Sequence, residues 1–220
     1  MNIAKKLATQ LLKTHKSVES VRKQMQAKLA LLLETRPAYV LFDLGITHPY
    51  YGLENLTERF SEGFNKLSSV LLNLTVESST VGDEVDKIVT GCDADAAVHA
   101  FFKLHGKPVT SITALSVGRL LEDVYGNAIF VRSYIDRKAI EVELLQSFAK
   151  KQVEMQLEKP YIHVSKECNA AFSDVQKLAK ILLDVKVNGK IIRHELSKKN
   201  TLDMLKNGQA NSITDSLLKI

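Results

Sequence analysis

Apolar residues near the start of the chain fall at Ile3, Leu7, Leu11, Val18, Val21, Met25, Leu29 and Leu32, in steps of three, four and seven. That spacing keeps one side of a helix apolar and predicts a long amphipathic helix over 2–34, either continuous or broken near 14–17. Thr14 and Lys28 interrupt the heptad seam, so a sustained coiled coil is not indicated. Arg36-Pro37 ends the helix, because the residue before proline is pushed out of the α region.

The pattern then changes. Residues 39–44 (YVLFDL) read as a short buried strand, and 45–52, with Pro49 between two glycines, as a loop. Asn55 with Glu58 three residues on forms a capping box for a helix over 56–74, which carries Phe60, Phe64, Leu67 and Leu71 on one face. Further helices are predicted over 82–90, 93–104 and 110–124. The run NAIFVRSYI at 127–135 reads as a strand, followed by a second long helix over 136–158. Residues 160–164 suit another strand, and Ser173 with Gln176 caps a helix over 174–183. Asn188-Gly189 between β-branched residues is the strongest hairpin signal, placing a β-hairpin over 185–192. A short helix over 201–206 and an apolar tip complete the chain. No internal repeat is evident.

These elements predict a mainly α fold with minor β: six to eight helices, a few short strands and a C-terminal hairpin. The expected organisation is a basic helical segment over 1–36, one globular domain over 37–200, and a short helix with tail over 201–220. The N-terminal helix either packs on the domain or reaches away from it.

Charge sharpens the picture. Residues 1–36 carry 8 cations and 2 anions, residues 37–150 carry 10 and 15, and residues 151–220 carry 12 and 8. A basic head, an acidic middle and a basic tail point to charged partners or to copies of the same chain. The two cysteines, Cys92 and Cys168, are too few for a disulfide framework, so an intracellular setting is expected, cytoplasmic or within a viral particle. No run of about 18 apolar residues is present to span a membrane. A mitochondrial presequence is disfavoured by the absence of arginine before Arg22. The sequons at Asn55 and Asn73 lack a secretory context.

Candidate chemistry is sparse. Cys92, Asp95 and His99 share a helical face and are metal-competent, but no closely spaced ligand pair accompanies them. A packing cysteine beside an exposed histidine is the simpler reading. Residues 93–124 have the outline of a helix-turn-helix, yet its second helix offers only Arg119 as a cation beside Glu122 and Asp123. Tyr39, Asp43, His48, Tyr50 and Tyr51 cluster in one segment that could line a polar pocket. There is no glycine-rich phosphate loop and no nucleophile elbow, so neither an enzyme nor a cofactor or metal site is expected.

The basic segments carry more weight. Lys5, Lys6, Lys13, Lys16, Arg22, Lys23 and Lys28 line the polar side of the first helix. Lys186, Lys190, Arg193, Lys198 and Lys199 follow in the tail, with Lys177 and Lys180 before them. Phosphate contact, an anionic membrane surface or an acidic protein patch would each suit such a face. The function expected is that of a non-enzymatic assembly protein, a subunit of a larger multi-protein complex such as a virion. Its association would use charge-complementary and amphipathic helical surfaces. The alternative is a nucleic-acid-binding protein using the basic N-terminal helix and the basic C-terminal third.

Overall fold

A computed structural model describes residues 2–35, 47–91, 96–149 and 160–197, without the side chains of 28, 29, 31–35, 47–53, 138, 141–149 and 160–163. Four long helices dominate: α1 (Ile3–Thr35), α2 (Thr47–Leu72), α5 (Ala114–Ala149) and α6 (Pro160–Leu182). Between α2 and α5 lie a hairpin of β1 (Thr75–Val76) and β2 (Ser79–Thr80), then α3 (Val81–Gly91) and α4 (Ala96–His105). After α6 come a second hairpin, β3 (Lys186–Val187) and β4 (Lys190–Ile191), and α7 (Ile192–Ser197). The fold is mainly α with minor β.

Helix starts follow local chemistry. Asn2 Oδ1 accepts the Ala4 N–H at 2.8 Å, and Thr80 Oγ1 accepts the Asp83 N–H at 3.0 Å. At α5, Thr113 and Ser116 bond reciprocally: the Ser116 N–H donates to Thr113 Oγ1 at 3.1 Å and the Thr113 N–H to Ser116 Oγ at 3.0 Å. Pro160 opens α6, where its missing N–H costs no helical bond.

Several expectations give way to tertiary packing. The run at 127–135 is helical and continues α5, with Tyr125, Ala128, Ile129, Val131 and Ile135 buried. Tyr125, Ala128, Val131 and Ile135 step by three and four as one helix face requires, and burial on that period outweighs the strand preference of Val and Ile. Residues 160–164 begin α6 instead of forming a strand, and α6 runs through the proposed cap at Ser173. There Gln176 Nε2 donates to Tyr125 Oη at 3.4 Å. Residues 47–52, expected in a loop, lie in the first turns of α2. The strand at 39–44 and the helix at 201–206 lie outside the described residues.

α1 is one continuous helix, and it packs on the domain. Thr14 returns its hydroxyl to the Gln10 carbonyl at 2.8 Å without breaking the rod. Ala4, Leu7, Leu11, Val18, Val21 and Met25 are buried in the same core as Phe60, Phe64, Leu121 and Leu178.

The bundle is also a tandem repeat, contrary to the sequence reading. Adding 110 to the buried positions of α1 gives those of α5: Ala4 and Ala114, Leu7 and Val117, Leu11 and Leu121, Thr14 and Val124, His15 and Tyr125, Val18 and Ala128, Val21 and Val131, Met25 and Ile135. From α2 onward the shift is 111: Leu67 and Leu178, Leu71 and Leu182, Val76 and Val187, Val81 and Ile192, Val85 and Leu196. The backbone repeats as well. Leu74 N–H bonds the Leu71 carbonyl and Val81 N–H the Leu74 carbonyl, at 3.0 Å each. Val185 N–H bonds the Leu182 carbonyl at 3.1 Å, and Ile192 N–H the Val185 carbonyl at 3.2 Å.

Contacts between the halves are reciprocal, α1 packing on α6 as α5 packs on α2, and within each half α1 packs on α3 as α5 on α7. Reciprocity of that kind defines an approximate two-fold axis. Volume is adjusted locally. A Cβ on Gly118 would meet Leu196 Cδ2 at 3.3 Å, and the counterparts of this glycine and leucine are the larger Ala8 and the smaller Val85.

Helix directions follow from side-chain contacts. Gln10 meets Asp174 while Ser20 meets Glu167, so α1 and α6 are antiparallel. Tyr125 meets Gln176 while Asp136 meets Ser165, so α5 and α6 are antiparallel too. α1 and α5 therefore run parallel, with both hairpins at the end of the bundle where these two helices begin.

Candidate functional site

The seam between α1 and α6 is closed by polar bonds. Gln10 Nε2 and Thr14 Oγ1 donate to the Asp174 carbonyl at 3.0 and 3.3 Å. Ser17 Oγ donates to the Asp174 carboxylate at 2.6 Å, and Ser20 Oγ donates to Glu167 at 2.8 Å. The acids of this seam are thereby engaged with α1 hydroxyls, and Asp174 also receives Lys177 Nζ at 3.4 Å.

The cations are left outward. Lys5, Lys6, Lys13, Lys16 and Lys23 of α1 are exposed, as are Lys177 and Lys180 of α6. Among the described residues, the five α1 lysines and Lys180 form no ion pair. The apolar stripe of α1 points the other way: Leu7, Leu11 and Val21 are 0% exposed. Sequence reasoning found the α1 cations through helical periodicity. It missed that Lys177 borders the α1–α6 seam through Asp174, because nothing local pairs α1 with α6.

Arg22 stands apart from the other α1 cations. It pairs with Glu19 at 2.8 Å on its own helix. The hydrogen bond to Glu19 holds its guanidinium above the ordinary arginine pKa, against an opposing effect of burial. Arg22 lines an open groove of about 910 Å³ between α1, α2 and α4. Glu19, Glu58, Glu62 and His105 line it too, over a floor that includes His15 and Phe101. The His15 and Phe101 rings stack at 4.1 Å, and Phe101 tilts against His105 at 4.2 Å. This aromatic contact holds α4 against α1. The groove's lining was not anticipated, since its histidines and carboxylates come from three separate stretches of chain.

In the tail, Lys186 and Lys190 are exposed on the two strands of the second hairpin. Asn188 and Gly189 both take positive φ, 47° and 79°, as a type I′ turn requires. Arg193 forms an ion pair with Asp184. Lys198 and Lys199 lie outside the described residues, as does the side chain of Lys28.

The remaining candidates do not come together. Cys92 and Asp95 lie outside the described residues, and His99 faces Asp86 at 3.8 Å. Among the described residues, no group of three His, Cys, Asp or Glu side chains could hold a metal ion. The second helix of the helix-turn-helix outline is the start of α5, whose Ala114, Val117 and Leu121 are buried in the bundle. Tyr39 and Asp43 lie outside the described residues, while His48, Tyr50 and Tyr51 fall in the first turns of α2. Cys168 is buried, and desolvation pushes its thiol up to about 12, aided by Asp136 and opposed by Arg132. A thiol so shifted is a poor nucleophile at neutral pH.

No family model, curated protein or solved structure matches the chain. No helix among the described residues is long and apolar enough to cross a membrane.

Proposed function

We propose that this chain is a non-enzymatic assembly protein, an intracellular subunit of a larger multi-protein complex that associates through its helical and charged surfaces. The observation that carries this reading is the overrun of the two parallel helices. Met25 and Ile135, equivalent residues of the repeat, are the last buried side chains described on α1 and α5, yet the helices continue to Thr35 and Ala149. Ile140, in the α5 extension, is 60% exposed. The sequence of both extensions is aliphatic, with Leu31, Leu32 and Leu33 in one and Leu144 and Leu145 in the other. Helices of that composition gain about 25 cal/mol for each Å² of apolar surface they remove from water, which favours a partner at this end.

Charge supports a second contact of the same kind. The first hairpin and α3 expose Glu77, Asp83 and Asp86, whereas the second hairpin exposes Lys186 and Lys190. Two modules of like shape and opposite charge favour head-to-tail meeting of copies.

The test is the solution mass of the full chain by light scattering at low and high salt. A mass well above 24.5 kDa that falls on replacing Ile140 with Glu supports assembly through the helix ends. A mass that falls only at high salt assigns the contact to the hairpins. A monomer at all concentrations, with or without salt, rejects self-assembly and leaves a heterologous protein partner to be sought by crosslinking.

A further inference from the structure

We infer that the lysine face shared by α1 and α6 binds the phosphate backbone of duplex nucleic acid. The repeat supplies an internal control for this face. At the positions equivalent to Lys6, Lys13 and Lys16, α5 carries Ser116, Asp123 and Gly126, and Lys180 of α6 corresponds to Ser69 of α2. The same bundle geometry is thus built without these lysines, so folding does not require them.

Lys16 and Lys23 edge the groove that Glu19, Glu58 and Glu62 line, but neither is paired with these acids among the described residues. The seam acids Asp174 and Glu167 are occupied by Ser17 and Ser20, and of the face only Lys177 has an ion-pair partner among the described residues. Along the α1 axis, Lys5 to Lys23 spans about 27 Å at 1.5 Å per residue. That is the axial length of about eight nucleotides of one DNA strand.

The chemistry separates the polyanions. An amphipathic helix lying on a membrane must insert its apolar face, and that of α1 is buried in the core, with Leu7, Leu11 and Val21 at 0% exposure. The cations of the face are all lysine, and each meets phosphate as a point charge. No aromatic side chain interleaves with them, so the contact is to phosphates and carries no base preference.

The experiment is fluorescence anisotropy of a labelled 20-base-pair duplex with the full chain. Parallel titrations use poly-glutamate and phosphatidylserine vesicles. The expected result is sequence-independent binding that weakens about 100-fold between 50 and 200 mM salt, as neutralising about four phosphates requires. A Lys6→Gln, Lys13→Gln, Lys16→Gln, Lys177→Gln, Lys180→Gln variant should bind at least tenfold more weakly, whereas Lys186→Gln with Lys190→Gln should not. Circular dichroism and thermal melts of the variants check that the bundle is intact. No binding by the wild type, equal binding by the five-lysine variant, or preference for poly-glutamate or vesicles would each overturn the inference. The light-scattering mass is read separately, so failure here leaves the assembly reading standing.

Discussion

The two halves of the bundle share a burial pattern and differ in almost everything polar. His15 and Tyr125 occupy equivalent buried sites, as do Thr14 and Val124, or Thr57 and Cys168. In the seam, Asp174 bonds Ser17 across the α1–α6 contact. At the equivalent place Gly63 has only the side chains of Asn127 and Val124 within reach of an added Cβ, at 3.5 and 3.7 Å. What the fold demands is volume at the right period, which many residue pairs satisfy. What it leaves free is polarity at the rim: α1 carries lysines where α5 carries Ser116, Asp123 and Gly126, while the second hairpin carries lysines where the first carries none.

The largest test of this comparison is paired truncation. Leu67 and Leu178 are equivalent and both 0% exposed. Leu67→Ala and Leu178→Ala should each cost about 2–5 kcal/mol in urea unfolding and agree within about 1 kcal/mol. A much wider gap would mean that the halves do not pack alike.

A second test exploits a place where they diverge. A Cβ on Gly82 would sit 2.7 Å from the Leu72 carbonyl oxygen, a backbone atom that cannot swing aside. Gly82→Ala should therefore cost about 1–3 kcal/mol. Its counterpart Arg193 already carries a side chain, and its N–H bonds the Leu183 carbonyl at 3.0 Å. Arg193→Ala loses an ion pair at the surface and should cost at most about 1 kcal/mol.

Cys168 and Thr57 differ in titration. The folded thiol is raised from 9.0 to about 12, so the native state holds its proton where the unfolded chain has lost it. The neutral thiol's contribution is complete below pH 9 and is lost as pH rises from about 9 to 12, at up to about 1.4 kcal/mol per pH unit. Cys168→Thr, which copies the first half, should remove that part of the slope in urea melts between pH 8.5 and 10.

The hairpin turns give the smallest effects, of opposite sign. Glu77 adopts a φ of 62°, a left-handed conformation that glycine tolerates better. Glu77→Gly should stabilise by up to about 1 kcal/mol, and Gly189→Ala, at a φ of 79°, should destabilise by about the same amount in thermal melts.

The sequence was legible wherever the signal was local. The periodicity of α1, the helices around 82–90 and 93–104 and the Asn188-Gly189 turn all follow from neighbours a few residues apart. The first hairpin was missed because Glu77-Ser78 lacks the residues that normally mark a turn. The repeat was hidden by its chemistry. Pairs such as His15 and Tyr125 preserve bulk but not identity, and the change of shift from 110 to 111 breaks a single alignment. Only 66–85 against 177–196 keeps visible likeness, through Lys66-Leu67 and Lys177-Leu178, Leu71-Leu72 and Leu182-Leu183, and Glu84 and Glu195.

By itself the chain determined that it would be helical, with an amphipathic first helix, a turn at Asn188-Gly189 and cations grouped at its two ends. Those properties depend on backbone preference and on spacing along one strand of sequence. Tertiary structure alone decided that 127–135 is helix, because its burial comes from partners elsewhere in the chain. It alone paired α1 with α6, bringing Ser17 to Asp174 and its ion-pair partner Lys177, some 160 positions on. Such pairings arise from burying two apolar stripes against each other, and no local propensity encodes which stripes will meet.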